Sequence, residues 1–213
     1  YAIGFCLVGF GDVYKRQFLA LLGESRAFGT LLQLSREDIP AVRVQVCNAL
    51  ASLEDERSLQ RLHTMLNDEA TEVRDAAYSG IAAIQSKTPL DAADVGLASD
   101  HADVRRRGLK TLVDAIRKSK AKKIDERARE LLSRALNDND DKVRNEAFKT
   151  CLNLKVDGEG EGALRFALQS AHASVRREVL TEVMAQDKEP WANGLQVELL
   201  NDPDPQIRRD AYE

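Results

Sequence analysis

The chain has 213 residues, of which 43% are hydrophobic, 5% aromatic and 31% charged, and its formal net charge is −4. This length allows a large buried core, and no uncharged apolar run approaches eighteen residues, so the sequence excludes a transmembrane helix. Its three cysteines, Cys6, Cys47 and Cys151, are scattered without disulfide or metal-binding spacing. That pattern favours a reducing compartment, and we predict a cytoplasmic location.

The first seventeen residues lack the periodic pattern that begins at Phe18. The hexapeptide Asp12 to Gln17 resembles an in-frame translation of the transposase-end adapter used in sequencing libraries. We therefore predict that residues 1–17 are a non-native segment and that residues 18–213 form one repeat array, truncated at both ends. The alternative is a short signal or anchor, since Ala2 to Phe10 is apolar, but a basic leading region and a small-residue cleavage site are missing.

From Phe18 onward, apolar residues at helical spacing predict antiparallel helix pairs joined by short linkers. The predicted first helices of the pairs span 26–34, 57–66, 90–98, 124–136 and 163–169, and the last one opens at Pro190. The predicted second helices span 40–53, 71–84, 102–117, 141–154 and 174–185, and the last one begins near Pro205. Residues 117–123 either extend their helix or form a charged loop.

Each second helix opens on a Val-Arg pair, and these pairs recur at intervals of 31, 31, 39 and 32 residues. The pairs are Val42-Arg43, Val73-Arg74, Val104-Arg105, Val143-Arg144 and Val175-Arg176, with Ile207-Arg208 as a sixth after 32 more residues. A repeat of this length is typical of a stacked array. A small or apolar residue also stands four positions after each Val or Ile, and an apolar residue stands eight positions after each of the five valines, which predicts one buried stripe per helix.

The segment between the two helices of each pair carries a second recurring pattern. A leucine precedes the Val or Ile by seven residues at Leu66, Leu97, Leu136, Leu168 and Leu200, and we expect it to close the first helix on an apolar contact. Asn, Asp and Ser residues follow it. Their side chains are expected to accept hydrogen bonds from the first N–H groups of the second helix.

These six in-register units resemble HEAT repeats, especially the bacterial HEAT-like form also seen in phycobilisome-lyase-type proteins. The resemblance covers residues 18–213 and implies an all-α fold, an α-solenoid or α–α superhelix of about six helical hairpins. It also implies that the arginine after each Val or Ile bonds to a turn aspartate of the adjacent repeat. We call Arg43, Arg74, Arg105, Arg144, Arg176 and Arg208 the ladder arginines. A break in this ladder is expected at the repeat of Ser170 and His172, where the acid is displaced.

Charge is unevenly distributed, since residues 105–134 contain 12 Lys or Arg and only 4 Asp or Glu. In the family that the units resemble, second helices line the concave side of the array. That resemblance predicts a partner-binding surface made of Arg106, Arg107, Lys110, Lys149, Arg177 and Arg209. A basic band can attract nucleic acid or an acidic protein surface, although interleaved aromatic residues for base stacking are missing.

No pattern typical of catalysis is found. Of the three histidines, His63 lies on a first helix and His101 and His172 lie in turns, and no phosphate loop, zinc motif or nucleophile elbow is present. We predict a non-enzymatic protein-interaction scaffold without a cofactor, metal or membrane. The alternatives are a nucleic-acid-binding array that uses the basic band from Arg105 to Arg134, and an accessory lyase or chaperone for a chromophore protein. The sequence gives neither the partner nor the oligomeric state.

Overall fold

The computed structural model describes residues 24–53, 56–119, 124–156 and 160–212, with side chains from residue 28. These residues form helices and connecting turns, and no strand occurs among them. The helices are α1 (Glu24–Leu34), α2 (Pro40–Leu53), α3 (Glu56–Met65), α4 (Thr71–Ile84), α5 (Pro89–Leu97), α6 (Ala102–Ser119), α7 (Glu126–Leu136), α8 (Asp141–Leu154), α9 (Glu161–Leu168), α10 (Ala173–Ala185), α11 (Ala192–Leu199) and α12 (Pro205–Tyr212). The proposed non-native segment, residues 1–17, lies outside the described residues.

The helices pair as six consecutive hairpins, from α1 and α2 to α11 and α12, and each hairpin is called a layer here. The chain divides into two compact units, Tyr1–Thr111 and Leu112–Glu213. In the first unit, α2 packs against α1, α3 and α4, and α4 packs against α3 and α5. In the second, α10 packs against α8, α9, α11 and α12. The predicted fold class, an all-α solenoid of HEAT-like hairpins, is confirmed.

The apolar stripe of the second helices forms the core, as the sequence predicts. Val73, Ala77 and Ile81 on α4 are fully buried, and the same positions are buried on the other second helices except at Val42, which is half-buried. A buried valine, leucine or isoleucine contributes about 1.5–3 kcal/mol. Because one hairpin is too small to cover its own stripe, this burial depends on contacts between layers.

The helices α5 and α6 touch backbone to backbone at two glycines. A Cβ atom added to Gly96 would lie 2.6 Å from the Cα atom of Gly108, and one added to Gly108 would lie 2.6 Å from the backbone nitrogen of Leu97. Any larger residue would force the two helices apart. The small residue four positions after Val104 therefore sets the distance between α5 and α6.

One turn in the second unit requires a glycine. Gly160 has a φ of +59°, and an added Cβ atom would lie 3.1 Å from the Cζ2 atom of the Trp191 ring. Both the left-handed backbone and the indole above it exclude a side chain. Trp191, at the start of α11, is half-buried against this turn.

Most helix boundaries agree with the prediction within two residues, but one expectation needs correction. Leu200, expected to close α11 on an apolar contact, is 36% exposed, and its neighbour Leu199 is buried instead. Of the two alternatives left open for residues 117–123, extension of the helix holds for 117–119, because α6 ends at Ser119, while 120–123 lie outside the described residues. Among the described helices, none is both long and apolar enough to cross a membrane.

Candidate functional site

Each of the six ladder arginines binds the turn of its own hairpin. In all six, the Nη1 atom donates to the backbone carbonyl six residues earlier, over 2.5 to 3.0 Å. In five of them it also donates to the carbonyl five residues earlier, over 2.9 to 3.0 Å. These carbonyls lie at or near the start of the second helix, so the arginine fixes the path of the chain between the two helices.

The remaining guanidinium nitrogens of Arg43 and Arg176 form a bidentate pair with an aspartate of the next layer. Arg43 donates from Nε and Nη2 to Asp68 over 2.7 and 2.8 Å, and Arg176 donates to Asp202 over 2.7 and 3.0 Å. Each aspartate stands six residues before the next ladder arginine. Its carboxylate also accepts from the backbone N–H two residues later, which shapes the turn.

Arg74 and Arg144 reach a different position of the next layer. Arg74 donates to Asp103 over 2.8 and 3.0 Å, and the Nε atom of Arg144 donates to the hydroxyl of Ser174 over 3.1 Å. Both acceptors stand two residues before the next ladder arginine. At the aspartate position these two layers carry a serine, Ser99 or Ser170, whose hydroxyl accepts from the N–H two residues later.

The residue six positions before the ladder arginine, aspartate or serine, thus correlates with the group that the arginine of the previous layer binds. Asp68 and Asp202 are bound by the arginine of the previous layer, whereas in the layers of Ser99 and Ser170 that arginine binds four residues further along. The break expected at Ser170 is instead a link through the neutral Ser174. Ser170 adds contacts of its own, because its hydroxyl lies 3.0 Å from the carbonyl of Leu136 and 3.2 Å from the Oδ1 atom of Asn137.

Both bidentate aspartates are held in the charged form. Burial acts to raise the pKa of Asp68, but the hydrogen bonds from Arg43 and from the N–H of Ala70 outweigh it and lower that pKa. The pKa of Asp202 is lowered in the same way, with burial opposed by Arg176 and by the N–H of Asp204. Ionised carboxylates at these positions accept the strongest hydrogen bonds in the turn.

A second set of side chains lies on the exposed side of the second helices, two and six positions after each Val or Ile. We call it the second-helix face. Its members are Val44, Asn48, Asp75, Ser79, Arg106 and Lys110 in the first unit and Asn145, Lys149, Arg177, Thr181 and Arg209 in the second, and all except the half-buried Val44 are exposed. Five of the six predicted partner-binding residues lie on this face.

Arg107, the sixth predicted partner-binding residue, contacts the neighbouring layer. Its guanidinium forms a short ion pair with Asp75, donates to the hydroxyl of Ser79 over 2.9 Å and lies 5.8 Å from the centre of the Tyr78 ring. Burial lowers the pKa of Arg107, and the side chain remains partly exposed. Its charge is therefore offset within the first unit, unlike the more exposed Lys110 on the same helix.

In the second unit, acids stand beside the basic residues of this face. Asn145, Arg177 and Arg209 occupy the position two after the Val or Ile, and the next residue in every case is an acid: Glu146, Glu178 or Asp210. The Nη2 atom of Arg177 also lies 3.8 Å from Asp204. Acids therefore lie directly beside the second-helix face of this unit.

The described residues contain no group of three His, Cys, Asp or Glu side chains that could hold a metal ion. Burial raises the pKa of the Cys47 thiol to about 12, so this thiol is protonated at neutral pH and is a poor nucleophile.

Residues 17–82 match the family model for HEAT repeats. This stretch carries HEAT repeats. The resemblance inferred from the Val-Arg units is thus confirmed over this stretch, which includes the turn of Asp68 and the ladder arginines Arg43 and Arg74. No curated protein matches the chain.

Several solved HEAT-like structures are similar to the chain. An archaeal HEAT-like repeat protein from Thermococcus onnurineus NA1 is 18% identical, with 99% of this chain and 93% of that chain covered and a TM-score of 0.42. Human deoxyhypusine hydroxylase is 18% identical over 99% and 92%, with a TM-score of 0.37. Importin beta is 15% identical over 99% of this chain and 32% of its own, with a TM-score of 0.45. At such low identities, none of their functions is transferred to this chain.

Proposed function

We propose that this protein is a non-enzymatic scaffold that binds a protein partner along its second-helix face. The supporting observation is the acid that each layer of the second unit places directly after Asn145, Arg177 or Arg209, next to that face. A polyanion would be repelled by Glu146, Glu178 and Asp210. A folded protein surface, which carries both signs of charge, can complement such a pattern.

The ladder arginines also support this proposal, because they order the surface that would bind the partner. Within each unit, Arg43, Arg74, Arg144 and Arg176 join the turns of neighbouring layers by partly or fully buried hydrogen bonds, so the exposed side chains of those second helices are presented at fixed spacings. A pre-organised surface loses less conformational entropy on binding than a flexible one does. Affinity would then be spread over several layers, each contributing one or two exposed side chains.

Site-specific photocrosslinking tests the proposal. A benzophenone amino acid is placed at Thr181, on the second-helix face, or at the exposed Asn193 on the first helix α11 as a matched control, and each variant is mixed with lysate of the source cell. We expect Thr181 to give a discrete protein adduct that disappears when Arg177→Glu and Arg209→Glu are added. Equal adducts from both positions, or a Thr181 adduct that survives both substitutions, would contradict the proposal.

Nucleic-acid binding is the alternative function, and the basic band is the observation that favours it. The exposed Arg106 and Lys110 lie four residues apart on α6 and would contact phosphates. Titration of a labelled oligonucleotide at about 50 mM salt should then show binding that weakens steeply as salt rises. The double substitution Arg106→Glu with Lys110→Glu should abolish it. Absence of binding at low salt would remove this alternative.

A further inference from the structure

The link between the fourth and fifth layers differs in charge from the other described links of the ladder. Three links end on a carboxylate of the next layer, that of Asp68, Asp103 or Asp202. In the fourth link, the Nε atom of Arg144 on α8 donates to the hydroxyl of Ser174 on α10 over 3.1 Å. Both positions from which the other layers supply the acid carry serine in this layer, Ser170 and Ser174. The junction of α8 and α10 is therefore joined through a neutral acceptor.

Ser174 occupies a position that an aspartate fills two layers earlier. Asp103 and Ser174 both stand two residues before their ladder arginine, in the first turn of α6 and of α10. Asp103 accepts from Arg74 over 2.8 and 3.0 Å, so an anion at this position can bind the guanidinium of the previous layer. A phosphate on the Ser174 oxygen would bring about two negative charges to the same place.

Ser174 is also the accessible serine of its turn. Its side chain is exposed, as is Ala171 on the segment that leads into α10. Ser170, by contrast, is 4% exposed, and its hydroxyl lies 3.0 Å from the carbonyl of Leu136. A protein kinase can therefore approach the hydroxyl of Ser174 and is kept from that of Ser170.

The charges around Ser174 favour a phosphate there. Arg144 is buried, and Arg177, three residues after Ser174 on α10, has a side chain that is 50% exposed. Asp141 forms a short ion pair with the Nη2 atom of Arg144, but its side chain is 83% exposed and can turn towards water when a stronger acceptor takes its place. Glu178 is a like charge four residues along the helix, and solvent screens it because it is exposed.

We propose that Ser174 is a phosphorylation site and that its phosphate strengthens the junction of α8 and α10. A protein kinase transfers the γ-phosphoryl group of a nucleoside triphosphate to the Oγ atom. The bond from the γ-phosphorus to the β,γ-bridging oxygen breaks, the new O–P bond forms, the hydroxyl proton passes to solvent, and nucleoside diphosphate leaves. The Nε and Nη2 atoms of Arg144 then donate to phosphate oxygens, as those of Arg74 donate to Asp103.

A first experiment tests whether the site is modified. The purified chain is incubated with ATP and lysate of the source cell, and its tryptic peptide 166–176, which contains both Ser170 and Ser174, is fragmented in a mass spectrometer. We expect phosphate on Ser174 and none on Ser170, and Ser174→Ala should leave the peptide unmodified. A parent peptide that stays unmodified, or that carries its phosphate on Ser170, would overturn the proposal.

A second experiment measures the strength of the junction. Phosphoserine is incorporated during translation at position 174 or, as a control of equal charge on the same helix, in place of the exposed Thr181. Hydrogen exchange of the α8 and α10 amides should slow by about tenfold with phosphoserine at 174 and stay unchanged with phosphoserine at 181. Ser174→Asp, which copies Asp103, should slow exchange by a smaller factor. Arg144→Gln should remove the effect of the phosphate.

Three results of the second experiment would contradict the proposal. Exchange could be unchanged by phosphoserine at 174, or it could slow equally for positions 174 and 181, which would indicate an effect of net charge alone. It could also slow to the same extent in the Arg144→Gln chain, so that the phosphate would act through α10 itself and not through the previous layer. If Arg144→Gln prevented folding, the comparison of positions 174 and 181 would still decide the outcome.

Discussion

Single residues decide how strongly neighbouring layers are joined, and the two kinds of link should differ in strength. Asp202 is buried and accepts two hydrogen bonds from Arg176. Because Asp202→Ala leaves the buried guanidinium without its counter-ion, we expect it to lower the free energy of unfolding by about 3 kcal/mol. Ser174 is a neutral, exposed acceptor for Arg144, and Ser174→Ala should cost about 1 kcal/mol or less. Urea unfolding measures both, with the exposed Asp187→Ala as the control. Equal losses of unfolding free energy for Asp202→Ala and Ser174→Ala would contradict the expected difference in strength between the two links.

The lowered pKa values of Asp68 and Asp202 predict how stability depends on acidity. The folded state binds a proton on these carboxylates less tightly than the unfolded chain does, so acid favours unfolding. Their stabilisation is complete above the ordinary carboxyl pKa of 3.8 and is lost as the pH falls through the lower folded-state values. Urea midpoints at several pH values should fall more steeply below pH 3.8 for the parent than for an Asp68→Asn, Asp202→Asn variant. If the urea midpoints of parent and variant fell in parallel as the pH is lowered, Asp68 and Asp202 would not account for the loss of stability in acid.

The acceptor of each ladder arginine could be predicted from the sequence only in part. The resemblance to HEAT repeats implied a turn aspartate, which is the acceptor for Arg43 and Arg176. It did not predict that Asp103 and Ser174 replace it where the turn residue is serine. The change of acceptor depends on the distance between the turns of two neighbouring repeats, which the sequence of one repeat does not determine. The sequence did contain one indication of it, namely the alternation of Asp and Ser six residues before the ladder arginine.

At the scale of helices, the contact between α5 and α6 leaves no room for a side chain at Gly96 or Gly108. In Gly108→Ala the added methyl group would clash with the backbone of α5, so the two helices would have to move apart. Because this cost exceeds the gain in helix propensity, we expect the free energy of unfolding to fall by about 2 kcal/mol. Gly194→Ala is the matched control, because this helical glycine on α11 is exposed and an added Cβ atom meets only the end of Arg165 at 3.9 Å. It should stabilise the protein by up to about 1 kcal/mol. Thermal unfolding compares the two, and a neutral Gly108→Ala would show that the helices can move apart freely.

Second helices were predicted more accurately than first helices, for a physical reason. The bounds of α2, α4 and α8 agree with the prediction at both ends, since a long apolar stripe begins at the Val-Arg pair and polar turn residues precede it. First helices such as α9 and α11 have only eight residues, and their ends depend on what packs against them. At Leu200 the sequence register indicated an apolar contact, but the packing of α11 buries Leu199 instead.

Across the whole molecule, a repeat protein should open locally, because each layer contacts mainly its neighbours. Cys47 in the first unit and Cys151 in the second are both fully buried, so each thiol is alkylated only when its surroundings open. Asp202→Ala should accelerate alkylation of Cys151 by at least about tenfold and leave Cys47 unchanged, and Asp68→Ala should do the reverse. Peptide mass spectrometry after iodoacetamide treatment measures both rates in one sample. If either substitution accelerated both thiols equally, the chain would open as one cooperative body.

The position of Trp191 has a practical consequence for such experiments. It is the only tryptophan in the chain, and its indole rests on the Gly160 turn of the second unit. Intrinsic tryptophan emission is therefore an optical reporter of that unit alone, whereas far-ultraviolet circular dichroism sums the helices of both. A denaturation curve followed by the two signals together would distinguish sequential melting from a single transition without any label being added to the protein.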